Sequence, residues 1–136
     1  MKTVFLTVGP QGSGKSVFCQ KVVLENQHLK MVSRDAILIE LFGTPWLDSY
    51  SGGHFLAHEK MWKDVAEYLT QDDIALILDC WNGYPEERQE MVKRLRNLGA
   101  ERVVAWYFTT PLNVCIEWYL QKPTYSKLPD ELDKRM

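Results

Sequence analysis

A chain of 136 residues, 46% hydrophobic and 25% charged, has the length of one globular domain and excludes two catalytic domains, so residues 1–136 are read as a single unit. Sixteen Lys and Arg against 18 Asp and Glu leave a formal charge of −2. That lacks the cationic excess needed to grip a long duplex, although a nucleic-acid end stays within reach. Cys19, Cys80 and Cys115 are odd in number, far apart and set in apolar runs, which fits neither a disulfide framework nor a zinc ribbon. The stretch before Gly9 is too short for a signal-peptide core, and no 18 apolar residues run together, so the expectation is a soluble cytoplasmic protein with no membrane partner.

In chain order, Thr3 to Val8 is apolar and β-branched and stops at Gly9, which predicts a buried strand and a glycine turn. A helix follows from Lys15 to about Asn26, with Phe18, Val22, Cys19 and Val23 on its packing face. Lys30 to Ser33 reads as a weak second strand. Ala36 to Phe42 is a short helix with Ile37, Leu38 and Leu41 inward, closed by Gly43 in the left-handed conformation. Residues 44–53 read as loop, and His54 to Leu69 as a helix with the stripe His58, Trp62, Val65, Leu69.

Ile74 to Leu78 is the strongest strand, expected at the centre of the sheet, and ends at Asp79. The next helix has Pro85 at its first position, acids at Glu86 and Glu87, a stripe of Met91, Leu95 and Leu98, and Gly99 beyond its end. Arg102 to Phe108 is a further strand. Thr110, before Pro111, is expected to cap a last helix with Leu112, Cys115, Ile116 and Tyr119 inward, ending at Pro123. Strands alternating with helices predict an α/β fold of three layers, a small parallel sheet flanked by helices.

Between the first strand and first helix stands Gly9-Pro10-Gln11-Gly12-Ser13-Gly14-Lys15-Ser16, which satisfies G-x-x-x-x-G-K-[ST], the P-loop or Walker A pattern, in the setting it requires. Glycines let successive N–H groups turn toward one anion, and the helix start adds positive potential. Gly9, Gln11, Gly12, Ser13, Gly14, Lys15, Ser16 and Val17 are therefore the expected nucleotide contacts. Lys15 would bridge the outer phosphates, and the Ser16 hydroxyl would serve Mg2+.

Ligands of doubly wound sheets bind outside the carboxyl ends of the strands, where Asp35 and Asp79 stand. If one carboxylate helps organise the magnesium shell, the other is free to accept a proton from an acceptor hydroxyl. For Asp35 the alternative is an N-cap of the following helix, and one residue could do both.

With these residues the sequence resembles the kinase domain of 5′-polynucleotide kinases and related small P-loop kinases, zeta toxins and AAA-type ATP-binding proteins among them. The likeness covers most of the chain. It rests on the P-loop, on Val32-Ser33-Arg34-Asp35, on Ile77-Leu78-Asp79 followed by Asn82, Pro85 and Arg88, and on Tyr107 to Pro111. It implies a P-loop kinase using ATP and Mg2+ to phosphorylate a hydroxyl, most simply the 5′-hydroxyl of a nucleic-acid end or nucleoside, alternatively a small metabolite. A nucleotide-binding protein with little turnover is the rival. The resemblance makes Asp35 the activator of the attacking hydroxyl and sets Asp79 beside the phosphates with Ser16 as metal ligands. It assigns Arg34, Asp35, Asp79 and Arg88 to the substrate.

The chain departs from that pattern at Leu38, where such enzymes carry an arginine for the acceptor's phosphate, and in the lid stretch 117–122. There Lys122 alone keeps a positive charge, which makes it, with Lys15 and Asp35, an expected catalytic group.

Weaker features have plainer readings. His54 and His58 have the spacing of a zinc pair but lack further ligands, so a polar helix start is favoured. Trp46, Asp48 and Tyr50 could close over a base or cover the core. Lys93, Arg94 and Arg96 read as a solvated helix face, and Trp106, Trp118 and Tyr119 as core.

Overall fold

The computed structural model describes residues 1–10, 13–45, 52–80 and 84–121, and of Tyr119 the backbone alone. Strand β1 (Lys2–Val8) leads into helix α1 (Lys15–Glu25), then β2 (Leu29–Ser33), α2 (Arg34–Phe42), α3 (Gly53–Tyr68), β3 (Ile74–Asp79), α4 (Pro85–Asn97), β4 (Arg102–Tyr107) and α5 (Leu112–Leu120). The sheet order is β2-β3-β1-β4, and every pairing is parallel.

The interior pair is the most apolar, as parallel strands covered on both faces must be. In β1, Val4, Leu6 and Val8 are buried, and in β3, Ile74 and Leu76 to Asp79. One face, carrying Val4, Leu6, Leu76 and Leu78, packs on Leu38 of α2, Met61, Trp62 and Val65 of α3 and Leu95 of α4. The other carries Phe5, Ala75 and Ile77 against Cys19, Val22 and Val23 of α1. The expected three-layer α/β arrangement is therefore present, with its core on both sides of β1 and β3.

Helix α2 uses less of its apolar stripe than expected. Ile37 and Leu38 are buried, but Leu41 is 44% exposed, because burial stops before the last turn, which Gly43 closes at φ 80° with its N–H on the Ile39 carbonyl. Its cap is Ser33, whose Oγ accepts from the Ala36 N–H at 3.3 Å, so the capping role considered for Asp35 falls to the residue two before it.

Along α5, of the expected inward residues whose side chains are described, Cys115 is buried while Leu112 and Ile116 are exposed; the Tyr119 side chain lies outside the description. The Thr110 hydroxyl donates to the Ser13 carbonyl at 2.7 Å, and the Pro111 carbonyl takes the Val114 and Cys115 N–H groups where the helix starts. The three cysteines are free thiols. Among the described residues no helix is long and apolar enough to cross a membrane.

Leu38 lies in the large core at 2% exposure, so an arginine there cannot reach an acceptor without leaving the fold. Leu38→Arg would bury an unpaired guanidinium, a loss of about 3–5 kcal/mol against a typical total of 5–15. Urea unfolding followed by circular dichroism should show a protein largely unfolded at rest.

Candidate functional site

The turn after β1 is crowded. A Cβ at Gly9 would stand 3.0 Å from both Phe108 Cβ and Ser13 Oγ, and one at Gly14 would stand 2.9 Å from the Trp118 ring, with φ already at +86°. Gly14 is also the N-cap of α1 and supplies no side-chain hydrogen bond, so the first N–H groups of the helix lack a side-chain cap and can serve an anion. Ser13 Oγ is fully buried with no hydrogen-bond partner among the described residues. An orphaned hydroxyl in such a cradle fits a phosphate oxygen.

Lys15 Nζ donates to the Gly9 carbonyl at 3.0 Å, tying the two ends of the loop together. Gln11 and Gly12 fall outside the described residues. Val17, on the first turn of α1, is 73% exposed.

Asp79 is 4% exposed at the end of β3. The register Leu6↔Leu78 brings it alongside Thr7, whose hydroxyl donates to Oδ1 at 2.9 Å, while Ser16 Oγ donates to Oδ2 at 2.9 Å. A hydroxyl and a carboxylate at this separation are hard oxygen donors of the kind Mg2+ accepts, and Mg2+ ordinarily completes its shell with water and substrate phosphates. Among the described residues no cluster of three or more His, Cys, Asp or Glu could hold a metal unaided.

The register Ser33↔Asp79 sets the end of β2 level with the end of β3. Arg34 and the exposed Asp35 thus open α2 at the same sheet edge as the P-loop. The Arg88 guanidinium lies 6.0 Å from the Tyr107 ring centroid, in a groove along α4 and β4, and Tyr107 pairs with Val8 at the last register position before Gly9. Lys122 and Asn82 lie outside the described residues, as do Trp46, Asp48 and Tyr50.

Two contacts on the P-loop come from residues with plainer sequence readings. Thr110 braces the Ser13 carbonyl, and Trp118, 45% exposed, rests its indole on Gly14 instead of in the core. Glycine is required there twice over, by its backbone angle and by the ring. Gly14→Ala should cost about 1–2 kcal/mol from the left-handed conformation alone, visible as a fall of several degrees in Tm.

A cleft of about 750 Å³ opens on the α2–α4 side of the sheet, lined by Arg34, His58, Trp62, Cys80 and the Glu86 to Asn97 face of α4. Arg94 is not merely solvated: its guanidinium sits 4.2 Å from the Trp62 ring centroid. His58 Nε2 accepts from Trp62 Nε1–H at 3.1 Å, and His54 Nδ1 lies 3.4 Å from Arg34 Nη2, so the two histidines turn to different neighbours. Burial lowers the His58 pKa, as do the charges of Arg34 and Arg94.

The model of an AAA domain family matches residues 4–136. The chain belongs to that family. No curated protein matches it. Among solved structures, a chain of the Pnkp1/Rnl/Hen1 complex superposes with a TM-score of 0.74 at 20% identity, over 96% of this chain and 42% of that one. A candidate kinase from Chloroflexus aurantiacus gives 0.73 at 19% identity, over 97% of this chain and 76% of that one. Shikimate kinase from Acinetobacter baumannii, in complex with shikimate, gives 0.55 at 18% identity, over 99% and 73%. The AAA domain chain thus spans less than half the length of the first of these. At such identities the likeness establishes the fold, that of the small P-loop kinases.

Proposed function

We propose that this AAA domain protein is a kinase that transfers the terminal phosphate of ATP, with Mg2+, to a hydroxyl group. The observation that carries the reading is the meeting of three strand ends at one sheet edge: the P-loop after β1, Arg34 and Asp35 after β2, and Asp79 closing β3 against Ser16. Loop N–H groups and Ser13 Oγ bind phosphate oxygens, and the Lys15 ammonium bridges the outer phosphates. Ser16 and Asp79 hold the metal, which supplies neutralisation of the charge between the end phosphates. Asp35 accepts the proton of the attacking hydroxyl, the phosphoryl group passes to that oxygen, and ADP leaves.

The acceptor we favour on the family likeness is the 5′-hydroxyl of a nucleic-acid end or nucleoside. Leu38 in the core supports a second reading, a small hydroxylated metabolite, because the arginine that would hold a nucleotide's phosphate has no counterpart at that position. Acceptor-dependent ADP release over a panel of oligonucleotides, nucleosides and hydroxylated metabolites tests the proposal. Turnover with any of them supports a kinase and names its acceptor class. Nucleotide binding with no turnover on the whole panel overturns the transferase reading.

A further inference from the structure

The cleft between α2, α3 and α4 carries two arginines that make no ion pair among the described residues. Arg34 Nε is fully buried with no hydrogen-bond partner among the described residues, and no described carboxylate forms an ion pair with Arg34 or Arg94. A buried donor on a guanidinium without an acceptor is costly, and guanidinium geometry matches the paired oxygens of phosphate and carboxylate. His58 lies within the fields of both arginines. Its Nε2 already accepts from Trp62, so in the neutral ring the proton sits on Nδ1.

The floor is apolar, with Met61 and Trp62 buried, and Arg94 covers the Trp62 face. Glu86, Glu87 and Glu90 also line the cleft and are exposed. Arg34 is half-buried and Arg94 is exposed like the three acids, so an anion with one charged end meets the arginines with less repulsion from the carboxylates than a long polyanion would. Arg34 immediately precedes Asp35 and Cys80 immediately follows Asp79, so the cleft begins at the sheet edge where the candidate catalytic groups stand.

We propose that this cleft binds the acceptor through an oxyanion, a phosphate or carboxylate gripped by Arg34 and Arg94, which line it together with His58. The word acceptor rests on the kinase reading above; the anion site does not. It marks the acceptor as a small hydroxyl compound with one anionic end, and makes Arg34 and Arg94 its specificity residues in place of the position held by Leu38.

The test reads His58 directly in the full chain, by NMR titration of its ring against pH with ADP saturating the P-loop. Inorganic phosphate, acetate and chloride are compared at equal ionic strength. A bound oxyanion offsets the two arginines and raises the His58 pKa saturably with phosphate, with acetate or with both. Phosphate alone would mark a phosphorylated acceptor, and acetate alone a carboxylate.

Arg34→Gln and Arg94→Gln should each weaken that response about 10- to 100-fold, the range for a hydrogen bond to a charged group. Arg34→Lys, which keeps the charge without the fork, should recover part of it. A His58 pKa that no oxyanion moves, that chloride moves equally, or that responds unchanged in Arg34→Gln overturns the proposal. If ADP fails to bind while phosphate still shifts His58, the kinase reading falls and the anion site stands.

Discussion

Lys15→Ala should remove both nucleotide binding and turnover. A ligand that binds only the folded state stabilises it by RT ln(1 + [L]/Kd), about 2.7 kcal/mol at a hundredfold excess over Kd, so ATP with Mg2+ should raise the Tm of the wild type by several degrees. The variant should show almost none of that rise. Its own fold should survive, since among the described residues the Lys15 ammonium makes one hydrogen bond, to the Gly9 carbonyl. A cation on the transferred phosphoryl group, as an arginine finger illustrates, is worth about 10³ to 10⁵ in rate, and ADP release should fall by that order. Stabilisation of the variant equal to wild type would show that the loop does not hold the phosphates.

Asp35→Asn separates chemistry from binding. General-base contributions run to about 10²–10⁴, and the substitution keeps the shape of the side chain while removing its basicity. Because Ser33 caps α2, helix stability should hardly change, and ATP affinity should stay within a few fold. Turnover measured under saturating ATP should drop by about two to four orders of magnitude. An unchanged rate would mean that the proton leaves by another route.

The parts of this molecule readable beforehand are those that local chemistry determines. The glycine, lysine and serine spacing after an apolar strand specifies the tight turn between β1 and α1 with little help from elsewhere, and Ile74 to Leu78 announces an interior strand because only a doubly covered strand is apolar throughout. What escaped depends on register between distant elements. Trp118 sits on a helical stripe and so reads as core, yet the chain returns it to Gly14. Thr110 before Pro111 has the form of a cap, but its hydroxyl finds the Ser13 carbonyl 97 residues away.

Arg34, His58 and Arg94 come from three helices, and no spacing in the sequence links them. Lys93, Arg94 and Arg96 are exposed, as a solvated face requires, but a helix pattern shows which residues share a side, not that Trp62 lies under one of them. Leu38 illustrates the converse. A comparison with related enzymes makes it a missing functional group, while its burial makes it a structural one.

The thiols offer a use of their own. Cys19 is sealed between α1 and the sheet, and burial pushes its pKa up to about 12, so almost none of it is thiolate at neutral pH. Cys80 follows the last residue of β3, with its sulfur 3.9 Å from that of Met91. Cys115, the buried residue on α5, donates to the Thr110 carbonyl at 3.4 Å. Each thiol reports on a different region and all three are buried, Cys80 at the wall of the cleft. Alkylation rates at the three positions, read by peptide mass, would therefore time the separate openings of the α1 face, the β3 end and the α5 brace. A nucleotide that tightens the loop should slow the clocks at Cys19 and Cys115 more than the one at Cys80.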